Sequence, residues 1–375
     1  FYMVLLFALI PVLSVPISHV AADSKHVGFF PHAISVADFN NDGHLDMAIP
    51  ASAERKVTVL LGDGKGGIVA NHAYPVGQGP TWVETADFNG DGHVDLVTTN
   101  TGGASLTIYF GDGQGGLAAR REIEGIHGPA SVVAADFNRD NKPDLAVAQA
   151  AKSKVAILIN RGNGKMVLTR SYHVGRGPHI LSKTDLNKDG IRDLVVGCLG
   201  PHTLSVLLGK GDGTFRDPIV SPVGRFPHYR AFGDWNGDGH LDVAVVAAGE
   251  DTVQSLLGDG KGHLRKTVSY PVGTNPHGLD AGDFNGDGHL DLAVSNRSSR
   301  DLHILLGDGA GAFLPKSPIL TGHDIIALAV GDFDEDKRAD LALVSATSHV
   351  VILLRGDGAG DFRPFPVQET EGEER

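Results

Sequence analysis

Cysteine is all but missing: Cys198 is the single one in 375 residues. An intramolecular disulfide is excluded, so stability has to come from packing or from metal. Basic residues are also in deficit. Against 45 Asp and Glu stand only 32 Lys and Arg, a formal charge of -13. That balance argues against nucleic acid and anionic membrane as partners. No apolar run reaches the roughly 18 residues that would mark a membrane-spanning helix. No stretch carries a sustained helical period either.

The longest apolar stretch, Tyr2 to Val15, contains Pro11 and is followed by Val20-Ala21-Ala22. Small residues there suit cleavage after Ala22. Residues 1–22 are therefore expected to be a secretory signal peptide. It reads as truncated, because no basic segment and no initiating Met precede it. The competing reading is a buried N-terminal strand. No cysteine follows the run, which argues against a lipid anchor. The mature chain is expected to be a soluble monomer, secreted to an extracellular or periplasmic setting. Residues 369–375 form an acidic tail, expected to be disordered.

What the chain has in excess is glycine, 50 residues, about 13% against a usual 7% or so. The glycines are spread evenly and recur in Gly-Asp-Gly clusters, which means tight turns. Seven segments align, beginning DFNNDGHLD at Asp38 and ending DFDEDKRAD at Asp332. Their first aspartates stand 49 residues apart, at 38, 87, 136, 185, 234, 283 and 332. Within the second repeat, strands are expected over Thr81–Ala86, Asp95–Thr99, Leu106–Phe110 and Leu117–Ile123, each bounded by Gly, Asp or Asn. A four-stranded repeat of this length is a propeller blade. The prediction is all-β: a seven-bladed β-propeller over residues 23–368, four antiparallel strands per blade. An open β-solenoid would need a shorter repeat. The last blade is expected to be complete in itself, with residues 361–367 as its fourth strand. The ring would then close by face packing, with at most a short contribution from Val27–Phe30.

The repeated nonapeptide reads D-x-[DN]-x-D-G-x-x-D. Calcium takes six to eight oxygen ligands. Positions 1, 3, 5 and 9 offer side-chain oxygens, position 7 its carbonyl, and position 6 a turn that glycine makes cheaply. The first loop thus offers Asp38, Asn40, Asp42, His44 and Asp46; the second, Asp87, Asn89, Asp91, His93 and Asp95. The third offers Asp136, Asn138, Asp140, Lys142 and Asp144; the fourth, Asp185, Asn187, Asp189, Ile191 and Asp193. The fifth has Asp234, Asn236, Asp238, His240 and Asp242; the sixth, Asp283, Asn285, Asp287, His289 and Asp291. The seventh has Asp332, Asp334, Asp336, Arg338 and Asp340. An EF-hand would need Glu at loop position 12, where Ile49 and Thr98 stand instead. Metal-free Asx turns are the other reading, and seven repetitions at one spacing weigh against it. Carboxylates about 4 Å apart repel by roughly 4 kcal/mol per pair at an effective dielectric of 20, so the loops call for a cation. Up to seven Ca²⁺ are expected, one per blade; seven would turn -13 into +1. At position 6, Asn141 tolerates the left-handed turn, whereas Lys337 tolerates it less and sets a cation beside the metal. The seventh site should be the weakest or most distorted.

These loops, with the turns Leu61-Gly62-Asp63-Gly64 and Phe110-Gly111-Asp112-Gly113 and the linkers Pro75–Pro80 and Pro271–Pro276, resemble the FG-GAP or VCBS repeat of integrin α-chain propellers and many bacterial exported proteins. The resemblance covers about residues 26–367. It implies the propeller fold and calcium. For function it implies adhesion modules, lectins with sugar pockets between blades, or, less often, polysaccharide-degrading enzymes.

Outside the loops, the residue after each linker proline is histidine in four blades: His32, His179, His228 and His277. These should ring one mouth of the channel, as a ligand or transition-metal site or as repeat-consensus polar residues. Glu84 and Asp280 share a column and could form a carboxylate pair for acid–base work, or simply line a solvated channel. Arg230 and Lys183 interrupt apolar columns. Trp82 and Trp235 read as core, or as a sugar platform. The histidines at loop position 7 need supply only carbonyls. The unvarying period speaks against an inserted catalytic site. The expected function is a calcium-stabilised extracellular binding or adhesion scaffold for protein or glycan, without catalysis. Alternatives are a lectin with several equivalent inter-blade sugar sites, or a polysaccharide lyase or hydrolase with one asymmetric charged cleft.

Overall fold

Alternating β-branched and small residues between glycine-rich turns form short antiparallel strands, and the 49-residue period repeats them seven times. The computed structural model describes residues 24–365. They form seven antiparallel sheets around an axis. Blade 2 is typical, with strands Pro80–Ala86, Asp95–Asn100, Ser105–Gly111 and Leu117–Glu124 from axis to rim. The four strands expected there are present, each longer by one or two residues. Among the described residues the one helical element is a three-residue 3-10 turn, Ala150–Lys152, and no helix is long and apolar enough to cross a membrane. The expected signal peptide, and the tail, lie outside the described residues.

The core is a ring of seven apolar clusters, one at each blade–blade interface. Phe39, Val59, Val83 and Leu96 join blades 1 and 2. Met47, Leu60, Val344 and Leu353 join blades 7 and 1. The aromatic or leucine at loop position 2 anchors each cluster; Phe39, Phe88 and Phe137 are among the largest fully buried side chains.

Closure differs from the expectation. The outer strand of blade 7 is built from both ends of the chain. Phe362–Pro364 pairs with one end of Val350–Gly356. Lys25 and His26 pair with the other end, opposite Val351 and Val350. The paired residues thus precede the stretch Val27–Phe30, and the C-terminal strand is shorter than 361–367. Face packing also holds, with Val27 buried between blades 7 and 1. Closing the ring by hydrogen bonds removes an edge that face packing alone would leave open.

Candidate functional site

The calcium-type loops all leave the inner strands at one end of the propeller. In each, the position-1 carboxylate folds the backbone around itself. Asp38 Oδ1 accepts the Asp42 N–H at 3.2 Å and Oδ2 the Gly43 N–H at 2.9 Å. The second bond recurs in all seven loops. In loops one to six the position-3 asparagine donates from Nδ2 to the position-5 carboxylate, as Asn40 does to Asp42 at 2.7 Å. The position-9 aspartate is a buried hub: Asp46 accepts from Phe39 N–H at 2.7 Å and from Gly62 N–H, 16 residues on, at 2.8 Å. Burial, with the other loop carboxylates adding to it, pushes Asp46, Asp95, Asp144, Asp193 and Asp340 up to about 6. A carboxylate held this way gains from any cation among the loop oxygens. The donors are hard oxygens in all seven loops, the set calcium requires.

Asn141 and Lys337 do take the left-handed conformation of Gly43. So do Asn41, Arg139, Lys188 and Glu335 at position 4, which the motif did not announce. In loop seven, Asp332, Asp334 and Asp340 bring carboxylate oxygens within 4.8 Å of one another. The side chain in closest ionic contact with this loop's carboxylates is Arg355, not Lys337. Its Nη2 donates to Asp336 Oδ2 at 2.8 Å, and its Nε lies 2.7 Å from Asp334 Oδ2.

The opposite end of the inner strands carries the histidine column. A seven-residue strand such as Pro80–Ala86 separates the two ends by about 20 Å. His179, His228 and His277 come from consecutive blades, with ring centroids 5.4 and 4.4 Å apart. His32 lines the same axial cavity of about 380 Å³, together with Trp82, Tyr229 and Arg297. His277 Nδ1 is 2.7 Å from the Ile326 carbonyl, a donor geometry that leaves Nε2 as an acceptor. His179 Nδ1, His228 Nδ1 and Trp82 Nε1 are buried without protein partners. Burial lowers His179 and His277 to about 4 and His228 to about 3, with nearby imidazoles and arginines contributing. The rings are thus neutral near pH 7.

Trp82 and Tyr229, from blades 2 and 5, meet across the axis at 5.6 Å. Sequence reading left Tyr229, Arg297 and Arg355 unassigned. Alignment on the 49-residue period carries the signal for two of them. The Trp82/Tyr229 column is otherwise Ala33, Ser131, Ile180, Gly278 and Ala327, and that of Arg355 is otherwise apolar.

Glu84 and Asp280, for which a carboxylate pair is the less favoured of two readings, are each engaged with other groups. Lys183 reaches from blade 4 to Glu84 at 2.7 Å and to the Ala134 carbonyl of the intervening blade. Asp280 accepts the backbone N–H groups of Val330 and Ala281. Arg230 is buried and caps the carbonyls of Val195 and Ile180 in blade 4. Trp235 is core.

The FG-GAP-like repeat family matches residues 38–98, 87–147, 185–245, 234–294 and 283–343. No curated protein sequence matches the chain. Among solved structures it resembles BBS1N in complex with ARL6DN (14% identity, TM-score 0.62, covering 92% of this chain and 95% of that one). It also resembles a protein from Lactobacillus plantarum (17%, 0.63, 89% and 94%) and virginiamycin B lyase from Staphylococcus aureus (11%, 0.61, 88% and 97%). Likeness at these identities is likeness of fold.

Proposed function

Because this chain belongs to the FG-GAP-like repeat family, we propose that it is a calcium-stabilised binding scaffold for an extracellular protein or glycan. The loops are its framework and the axial cavity is its ligand seat. The observation that carries the reading is the cavity lining. Trp82 and Tyr229 offer aromatic faces, and three buried ring nitrogens without protein partners point to a ligand that supplies hydrogen bonds. Neutral imidazoles and an indole suit the hydroxyls and the apolar face of a sugar ring, or an aromatic side chain on a protein. In this scheme Asp, Asn and carbonyl oxygens of loops one to six hold Ca²⁺, which supplies countercharge and stiffness. The setting proposed with it is secreted or periplasmic, where extracellular calcium modules bind in the ~10⁻⁴–10⁻³ M range. The reading assigns no catalysis.

A lectin reading with repeated sites draws on a different observation. Clefts of about 390 and 310 Å³ open between neighbouring loops of blades 6 and 7 and of blades 2 and 3. A glycan array and a protein-binding screen, run on the full chain and on Trp82→Ala, separate the two. Loss of binding by at least tenfold in Trp82→Ala places the ligand on the axis. Retention of several equivalent sugar sites in that variant would sink the axial seat and favour the clefts.

A further inference from the structure

In six blades an apolar side chain stands at the end of the third strand, before glycine in five and before Asn160 in blade 3: Leu61, Phe110, Ile159, Leu208, Leu257 and Leu306. Five of these pack against a turn glycine of the following blade; Leu61 meets Gly115, Phe110 meets Gly164, and Leu306 meets Gly360. Blade 7 has Arg355 at this place. The turn glycine it should cover, Gly66 of blade 1, is covered instead by Phe365, from beyond the C-terminal strand. The guanidinium is thereby free to turn toward its own loop. There it lies against Asp334 and Asp336.

Two substitutions are matched in this loop. Asp334 replaces the asparagine whose amide, in the other six loops, donates to the position-5 carboxylate. Arg355 supplies that lost donor to Asp336 and a positive charge to Asp334. Arg338 adds a second guanidinium, 3.7 Å from Asp336 Oδ2. A divalent ion among Asp332, Asp334 and Asp340 would have to share Asp334 with a guanidinium in contact with it. Like charges at such range repel strongly.

We propose that the seventh loop does not take calcium and that the Arg355 guanidinium is its resident cation. The proposal rests on the reading of loops one to six as calcium sites. It makes the blade that closes the ring independent of the ion that stiffens the others.

Calcium bound per chain, measured by equilibrium dialysis on the full chain, tests it. The expected counts are six for the wild type and seven for Arg355→Leu, which restores the side chain of the other blades. A graft in blade 6, Asn285→Asp with Leu306→Arg, should lower the count to five and covers the case in which Arg355→Leu fails to fold. Seven ions in the wild type, a folded Arg355→Leu still at six, or a graft still at six overturns the proposal alone. No bound calcium at all overturns both this and the reading of the loops, so the two failures differ.

Discussion

Two roles of histidine are distinguishable at the scale of single residues. At loop position 7 the ring has a packing task. His93 lies over Gly113, where a Cβ would come within 2.3 Å of Nδ1 and φ is +70°; the Gly-Asp-Gly turn needs glycine because an imidazole occupies the space. At the axis the rings carry a pH dependence. His228 is held at about 3, chiefly by burial, against an ordinary value near 6.5. Below about pH 6.5 the unfolded chain therefore binds protons that the folded ring refuses, and stability falls as pH falls. The contribution is fully present above about 6.5 and is lost progressively toward 3. The residue is only half-buried, so the slope for one histidine should be about 1 kcal/mol per pH unit or less. Urea midpoints between pH 7 and 4.5 check this. His228→Gln should lose less stability than the wild type over that range, and parallel curves would mean that burial does not hold the ring neutral.

The pairing of Lys25 and His26 with blade 7 is the least local feature at the scale of elements. Val27, next to them, donates its N–H to the His349 carbonyl at 3.0 Å and accepts from Thr58 Oγ1 at 3.0 Å, so it ties blade 7 to blade 1. Val27→Ala should cost about 2 kcal/mol from lost burial and cavity. Hydrogen exchange should quicken first at Val350 and Val351, and an equal effect in blades 3 and 4 would argue against a local seam. The strands were legible because their pattern repeats within each blade. The composite strand was not, because its partner lies more than 300 residues away and two polar residues carry no strand signal. The histidine column was legible for the opposite reason: equal spacing places equivalent residues at one height. The meeting of Trp82 with Tyr229 joins non-neighbouring blades, and no single blade's pattern contains it. Blade 3 departs from the Leu-Gly-Asp-Gly turn and compensates at short range. In blades 1, 2, 4 and 7 a turn amide reaches the position-2 carbonyl of the blade before, as Gly115 does to Phe39. In blade 3 the Asn160 side chain makes that bond, to Phe88 at 2.9 Å.

On the scale of the whole molecule these bonds link neighbouring loops at five of the seven blade junctions. Gly66 donates to Phe333, Gly213 to Phe137 and Gly360 to Phe284, so the backbone that wraps one loop also docks the next blade. Each of six loops holds three aspartates and the seventh four, 22 in all. With calcium at about 100 times Kd, a single site adds roughly 2.7 kcal/mol. Chelation should therefore lower the melting temperature sharply. Added monovalent salt should restore part of the loss by screening the carboxylates, while adding little when calcium is present. Arg355 gives the order of failure. Loop seven keeps its own cation, so the seam between blades 7 and 1 should retain protection in chelator after the loops of blades 1, 2, 5 and 6 have lost theirs. Hydrogen exchange with and without chelator measures that order. Uniform loss around the ring would mean that the blade interfaces couple all seven loops more tightly than any one cation can resist. An unchanged melting temperature would mean that the aspartates shape the turns without needing a cation at all.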